Sequence, residues 1–215
     1  LKGRFNKIII VFHGGTEHYN LPSPKTQKFL RYLVDLGADM VICHHQHIVS
    51  GFEKYKGKPI FYGIGNFLFT KKNSEKNWNT GSVIKVEISK KTLDYESVPV
   101  RFLNDENKLK IICSDELKLY RLNINRLNKI IMDESKLIDE WKNYILGEKK
   151  RLSMISFLGN ISNLYLIGFF KRIGVMKLIF NKQLAKHLLN YIRNESHRDI
   201  LIHLLKNKIN ENSDT

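Results

Sequence analysis

The chain has 215 residues, with 36 Lys and Arg against 21 Asp and Glu, which gives a formal net charge of +15. Hydrophobic residues make up 42% of the chain, enough to bury a core, so the composition excludes an intrinsically disordered protein. Its two cysteines, Cys43 and Cys113, exclude a disulfide-dense secreted scaffold, and no Cys-x-x-Cys pair indicates a thiolate metal site. The charge is divided into +8 for residues 1–104 and +7 for residues 105–215, and it fits a polyanionic partner such as nucleic acid, an anionic membrane surface or an acidic polymer.

The first residues lead directly into a strand-like run. Leu1 is not followed by the charged segment with an apolar segment after it that together make a signal peptide. We therefore expect the chain to be a piece of a longer protein, and the missing signal peptide does not indicate where that protein resides.

The first hundred residues open with a strand, a helix and a second strand. Ile8–Phe12 is a short apolar run, typical of a strand covered on both faces. Ser23 and Pro24 form a helix start, and Gly37 supplies the matching stop. Met40–Cys43 is the next buried strand, and four polar residues, three of them histidines, follow it.

Antiparallel strands are predicted after this point. Val49–Tyr55 and Pro59–Tyr62 flank Lys56-Gly57-Lys58, a sequence typical of a hairpin turn. Ser82–Ser89 and Thr92–Phe102 then alternate apolar and polar residues, which predicts strands with one face in water.

The pattern changes beyond residue 104, so we predict two domains, 1–104 and a basic helical extension at 105–215. Cys113–Leu146 carries apolar residues at helical spacing and predicts one or two amphipathic helices. Gln183–Lys208 is predicted to be helical again. Lys149–Asn194, which overlaps the start of that last helix, contains nine Lys and Arg and no acidic residue.

One apolar segment in this extension has three interpretations. Leu152–Phe170 is nineteen residues without a charge, which reaches the length of a membrane span. Its serines and asparagines are costly in hydrocarbon, so a helical hairpin packed on the domain is favoured. Leu152–Phe180 also suits an interfacial helix on anionic lipid, which ranks second, and a true span ranks third. Nucleic-acid binding has no motif beyond charge and ranks below all three.

Histidines follow the ends of both predicted parallel strands. His13 ends the first strand, and His45 and His47 follow the second. Because the carboxyl ends of parallel strands meet at one edge of a sheet, we expect the three imidazoles to lie close together. Imidazole suits Zn, Fe, Mn or Ni, so a divalent metal site is predicted, with ordinary hydrogen-bonded histidines as the alternative. The other histidines are interpreted as local or partly exposed residues, namely His18, His44, His187, His197 and His203.

Three ordered motifs resemble a known family. His13–Tyr19, Leu36–His47 and Tyr55–Phe67 are similar to the CapA-type capsule (poly-γ-glutamate) biosynthesis proteins of the calcineurin-like metallophosphoesterase superfamily. The resemblance covers residues 7–70. It implies an α/β (α+β) fold that is the second half of a β-sandwich flanked by helices, with a C-terminal helical extension.

The resemblance also implies a site for two divalent ions, Mn, Fe or Zn, in the full-length parent. His13 and His45 would bind one metal, and His47 the other. Two such ions hold a hydroxide for attack on a phosphoester and stabilise the charge that develops on its oxygens.

Three further residues receive roles from the same motifs. Glu17 matches an acidic family position and would orient a ligand or contact substrate, and His44 would support the catalytic groups. Asn66 lies in a Gly-Asn-Phe signature, for which substrate binding and a turn at the end of a strand are both open.

Several family features are missing from the sequence. The motifs Asp-x-His, Gly-Asp-x-x-Asp and Gly-Asn-His-Glu do not occur, and Gly14, Cys43 and Gln46 replace the usual Trp, Gly and Pro. We therefore expect this chain alone to bind one ion weakly or none, and we expect the N-terminal half of the same domain as a partner.

Two functions follow from this comparison of motifs. The first is metal-dependent phosphoester hydrolysis or transfer by the parent protein in capsule or exopolymer biosynthesis, with a phosphoester or polyanionic polymer as substrate. The second is a non-catalytic fragment or membrane-surface scaffold that keeps the fold without a complete metal site. A bacterial protein is implied, and both a cytoplasmic and a membrane-associated location stay open.

Overall fold

The computed structural model describes residues 3–69, 77–151 and 198–203, together with the single positions 172, 186, 189, 193 and 206. Helices and strands are mixed, which confirms the α/β class. The chain forms two compact units, Leu1–Asp139 and Glu140–Thr215. The predicted division after residue 104 follows the change in sequence pattern, whereas these units divide after Asp139.

A four-stranded mixed sheet forms the first part of Leu1–Asp139. Its strands are β1 (Ile9–His13), β2 (Met40–His44), β3 (Phe52–Tyr55) and β4 (Lys58–Phe61), in the spatial order β1-β2-β4-β3. β1, β2 and β4 are parallel, and β3 returns antiparallel to β4 as the predicted hairpin.

The two apolar strands of this sheet differ in burial. β2 lies inside the sheet, and Met40, Val41 and Cys43 are fully buried. β1 lies at the edge, and Val11 keeps 68% of its surface exposed. The prediction that the Ile8–Phe12 strand is covered on both faces is therefore wrong, because an apolar run does not show whether a strand is central or at the edge.

The second sheet is antiparallel and has three strands. It contains β5 (Thr80–Ile88), β6 (Leu93–Leu103) and β7 (Lys108–Ile111), in that order. The first two were predicted, whereas the exposed edge strand β7 was not, since its four residues give too short an alternation. An edge-on contact between Phe61 of β4 and Tyr95 of β6 joins the two sheets, with ring centroids 5.4 Å apart.

Helix α1 (Pro24–Asp35) connects β1 to β2. Its start is capped as predicted, since Ser23 Oγ accepts a hydrogen bond from the backbone N–H of Thr26 at 3.1 Å. Leu36 occupies the C-cap, and the predicted Gly37 comes one residue later with φ +111°, the left-handed conformation that glycine tolerates best.

The predicted segment Cys113–Leu146 contains two helices, α2 (Ser114–Ile131) and α3 (Glu134–Arg151). α2 lies against the first sheet, because Asn128 Oδ1 accepts from the backbone N–H of Phe52 at 2.8 Å. Gln27 of α1 donates from Nε2 to the carbonyl of Ile131 at 2.6 Å, so both helices are tied together beside the same sheet.

A polar network centred on the buried Glu53 joins α1 to the first sheet. The Glu53 carboxylate accepts two hydrogen bonds from the Arg31 guanidinium, at 2.8 and 2.7 Å, and a third from the Tyr62 hydroxyl at 2.5 Å. Burial raises the pKa of Tyr62, and the charge of Glu53 raises it further. The tyrosine is therefore a hydrogen-bond donor throughout the physiological range.

In the unit Glu140–Thr215, Trp141, Ile145 and Ile200 are buried, and Trp141 stacks on Tyr144. Residues 198–203 are helical, within the predicted Gln183–Lys208 helix. Over the described part of the chain, no helix has the length and apolarity needed to cross a membrane. The predictions for Leu152–Phe180 lie outside the described residues, except for the helical, exposed Arg172.

Candidate functional site

The ends of β1 and β2 carry histidines side by side. His13 and His44 are paired in the parallel register, and the N–H of Gly14 donates to the His44 carbonyl at 3.1 Å. The chain then turns away from each strand, and the N–H of His18 donates to the Gln46 carbonyl at 2.9 Å. Both loops are therefore held at the carboxyl edge of the sheet, where parallel sheets bind ligands.

The three predicted ligand histidines are gathered at this edge. The ring centroids of His13 and His45 are 5.0 Å apart, and those of His45 and His47 are 6.3 Å apart. Glu17 joins them, with Oε1 3.6 Å from Nε2 of His45. The predicted proximity of these side chains is present in the structure, and their roles stay predictions.

Three residues of this edge have left-handed backbones. His18, His45 and His47 have φ values of 59°, 110° and 61°. Residues other than glycine seldom adopt such values, and they persist only where surrounding contacts hold them. Strained backbones concentrate at functional sites, so their presence at three histidines supports a functional interpretation of this edge.

Behind the histidines, the three residues that depart from the family pattern contact one another. The Cys43 thiol donates to the Gly14 carbonyl at 3.1 Å, and the buried Gln46 amide reaches the same carbonyl at 3.5 Å. Gln46 is 1% exposed, and its Nε2 also lies 3.6 Å from Cys43 Sγ. The replacements thus form one buried contact that connects the two strand ends.

Two titratable groups at this edge are affected by burial. Burial lowers the pKa of His44, and the nearby charge of His13 lowers it further, which favours a neutral imidazole. Burial raises the pKa of the Cys43 thiol to about 11, so this cysteine is protonated at neutral pH and is a poor nucleophile.

Asn66 connects the histidine edge to the second sheet. Its Oδ1 is 2.9 Å from Nδ1 of His47, and its Nδ2 donates to the carbonyl of Trp78 at 2.8 Å. The predicted substrate contact of Asn66 stays a prediction, because its described partners are protein groups. Asn66 is 7% exposed.

Trp78 was missed by the sequence reasoning, which gave this residue no role. Its ring stacks on His18 with centroids 5.5 Å apart and lies 5.3 Å from the ring of His47. Phe69 completes the cluster, 5.1 Å from Trp78 and 5.4 Å from His47. Only an isolated aromatic residue in a charged stretch marked this position, which is too weak a signal to indicate a site.

The donor chemistry of the edge suits a borderline divalent cation, since neutral imidazoles bind zinc, iron and manganese. Within residues 3–69, 77–151 and the other described positions, no group of three His, Cys, Asp or Glu side chains converges on one point where an ion would sit. The described side chains therefore offer imidazole ligands without a closed coordination set.

Comparisons with known proteins match the same part of the chain. The family model described as bacterial capsule synthesis protein PGA_cap matches residues 2–71. The capsule biosynthesis protein CapA of Bacillus anthracis is 40% identical over 68 residues, which are 32% of this chain and 16% of that protein. The PGA biosynthesis protein CapA of Bacillus subtilis is 37% identical over 62 residues, 29% of this chain and 16% of the relative.

A third relative is a probable polyglutamine synthesis accessory protein of Mycobacterium tuberculosis. It is 38% identical over 58 residues, which are 27% of this chain and 15% of that protein. The chain thus spans about one sixth of the length of the curated relatives that it matches. The matched segment contains β1, α1, β2, the hairpin and all the predicted site residues, so residues 2–71 are similar to one part of the CapA-type bacterial capsule synthesis proteins.

Proposed function

We propose that this chain contributes the histidine-bearing part of a divalent-metal site, in a protein that hydrolyses or transfers a phosphoester during capsule or exopolymer biosynthesis. The observation that carries the proposal is the gathering of His13, His45 and His47 at one sheet edge, within the segment that matches the capsule synthesis family. Further ligands from outside the described residues would complete the site.

The chain's own residues have distinct tasks in this proposal. His13 and His45 would hold one ion, and His47 would present a nitrogen to the other. A bound metal pair supplies a nucleophilic hydroxide and stabilises negative charge on phosphoryl oxygens. Glu17, 3.6 Å from His45, would orient that ring, and the net charge of +15 favours a polyanionic substrate.

Metal binding is the first test. The full-length protein is equilibrated with Zn²⁺ or Mn²⁺ and the bound metal is counted by atomic absorption. We expect binding by the unaltered protein that weakens at least about tenfold in His45→Ala and in His47→Ala, since each removes an imidazole ligand. His203→Ala is the matched control, because it removes a histidine of the other unit. Equal binding by all four proteins would contradict the proposal.

Phosphoesterase activity is the second test, made with the full-length protein. Hydrolysis of bis(p-nitrophenyl) phosphate that needs added metal and is lost in His45→Ala would support the enzyme. Absence of bound metal and of hydrolysis, with retained binding to an acidic polymer, would instead support the non-catalytic scaffold.

The partner surface is proposed separately from the chemistry. The charge of +15 would attract a polyanion such as poly-γ-glutamate or an anionic lipid surface, through attraction that salt screens. Flotation with phosphatidylserine vesicles and sedimentation with poly-γ-glutamate, each at low and high salt, distinguish these partners. Binding to neither at low salt would contradict a polyanionic partner.

A further inference from the structure

The backbone of Asn66 is held against β5 of the second sheet. Gly65, with φ +66°, and Gly81 form an isolated bridge, and the N–H of Asn66 donates to the Thr80 carbonyl at 3.3 Å. A Cβ at Gly81 would lie 2.2 Å from the Asn66 carbonyl oxygen, so the two backbones approach more closely than a residue with a side chain at position 81 would allow. The Cα atom of Asn66 is therefore held in place, which limits where its side chain can lie.

The orientation of the Asn66 amide follows from its partners. The Trp78 carbonyl accepts hydrogen bonds and cannot donate, so the group of Asn66 that faces it, 2.8 Å away, is the NH₂. Oδ1 then faces Nδ1 of His47, at 2.9 Å. An amide oxygen only accepts, and Nδ1 of His47 must therefore carry the proton of this bond.

A neutral imidazole has one protonated nitrogen, so a proton on Nδ1 leaves the lone pair on Nε2. We propose that Asn66 is a positioning residue that holds His47 in the Nδ1–H tautomer and presents its Nε2 lone pair for ligand binding. Histidines that bind metals ordinarily donate their other N–H to a fixed acceptor in this way. What Nε2 would bind rests on the proposed function, whereas the tautomer is a property of the chain by itself.

Packing around His47 supports the same inference. The ring packs against both Trp78 and Phe69, with centroids 5.3 and 5.4 Å away, and the His47 backbone is held at φ 61°. Loss of the Asn66 acceptor would therefore change which ring nitrogen is protonated before it changed where the ring lies. A purely structural role for Asn66 would change stability and leave the tautomer ratio untouched.

The test uses nitrogen NMR of the full chain labelled with ¹⁵N-histidine, in metal-free buffer at a pH where His47 is neutral. We expect His47 to give the pattern of a protonated Nδ1 and an unprotonated Nε2. Observation of the Nε2–H tautomer in the unaltered chain would overturn the proposal without any variant being needed.

Three substitutions sharpen the result. Asn66→Ala should release the tautomer, so that the Nε2–H form becomes populated, whereas Asn66→Asp keeps an acceptor and should retain Nδ1–H. Asn125→Ala, which removes an exposed asparagine of α2, is the control and should leave His47 unchanged. An unaltered tautomer in a folded Asn66→Ala variant would overturn the proposal.

Metal titration separates this inference from the proposed function. If both hold, the Zn²⁺ affinity of the full-length protein should fall about tenfold to a hundredfold in Asn66→Ala and less in Asn66→Asp. An Nδ1–H tautomer of His47 together with a full-length protein that binds no metal would contradict the proposed function and leave the positioning role of Asn66 standing.

Discussion

The two sheets of the unit Leu1–Asp139 differ in backbone pairing, and the difference decides what each contributes to the site. The first sheet is largely parallel, so the ends of β1 and β2 lie side by side and bring their histidines to one edge. The second is antiparallel, and successive strand ends point in opposite directions. It contributes to the site through backbone and packing, with the Trp78 carbonyl and ring just before β5. Parallel pairing therefore gathers the reactive side chains, and the antiparallel sheet supports them.

Thiol reactivity gives the largest expected contrast between the interior of the first sheet and the second half of the unit. Burial in β2 raises the pKa of Cys43 to about 11, whereas Cys113 is exposed before α2. At pH 8 only about one Cys43 in a thousand is a thiolate, so Ellman's reagent should react with one thiol per chain quickly and with the other at least about a hundredfold more slowly. Cys113→Ser should abolish the fast phase, and two equally fast thiols would contradict the burial of β2.

The next largest expected effect is on stability, and it concerns the close contact between Gly65 and β5. A Cβ at Gly65 would lie 2.4 Å from the Thr80 carbonyl, at a φ of +66°. We expect Gly65→Ala to lower the free energy of unfolding by about 3 kcal/mol, from backbone strain and a contact that cannot relax.

Gly57→Ala is the matched control for that prediction, because Gly57 also has a positive φ, +76°, but nothing lies near its Cβ. Its cost should be about 1 kcal/mol. Urea denaturation followed by circular dichroism measures both, and equal costs would show that the approach of Gly65 to β5 is not a tight contact.

The buried Glu53 network provides a smaller contrast. Glu53→Ala removes the acceptor of Arg31 and Tyr62, and we expect a loss of about 2 kcal/mol because Arg31 is partly exposed. In the second sheet the pair Lys85–Glu87 is exposed, and Lys85→Ala should leave the urea midpoint unchanged within error. Equal shifts of the urea midpoint in Glu53→Ala and Lys85→Ala would contradict the expectation that the buried network contributes more to stability than the exposed pair.

The smallest expected effect depends on pH and concerns Asp39, which is hydrogen-bonded to Ile8, next to β1, and to Lys58 of β4. Burial opposes ionisation of Asp39, but hydrogen bonds from the Lys58 ammonium and the Ile8 N–H outweigh it, so the pKa of this carboxyl is lowered. The pKa of Asp39 is near 4 in the unfolded chain and lower in the folded chain, so the ionised carboxylate stabilises the fold above about pH 4. This stabilisation is lost as the pH falls through the folded-state pKa. Asp39→Asn should therefore be less stable than the unaltered chain at pH 7. In urea titrations that difference should narrow below about pH 4, and a difference independent of pH would contradict it.

Much of the fold followed from local patterns. The helix start at Ser23 and Pro24, the hairpin around Gly57 and the alternating strands β5 and β6 all depend on residues that are neighbours in the chain. The edge position of β1 and the existence of β7 depend on strand order, which local periodicity does not encode. The prediction that a strand is buried on both faces was consequently wrong for β1 and right for β2.

The candidate site divides in the same way. His13, His45 and His47 were found because each follows an apolar run, and the rule for parallel strands placed them at one edge. Trp78 and the Asn66–His47 hydrogen bond were not found, since they join residues 12 to 31 positions apart across two sheets.

The sequence by itself determined the order of strands and helices through residue 103 and the histidines that end the parallel strands, because apolar periodicity, capping residues and turn residues act over a few positions. Only the tertiary structure decided which strand is exposed, which rings surround His47 and which of its nitrogens faces Asn66. Those features arise where distant segments meet, and there the partners of each donor and acceptor are set by packing and not by sequence distance.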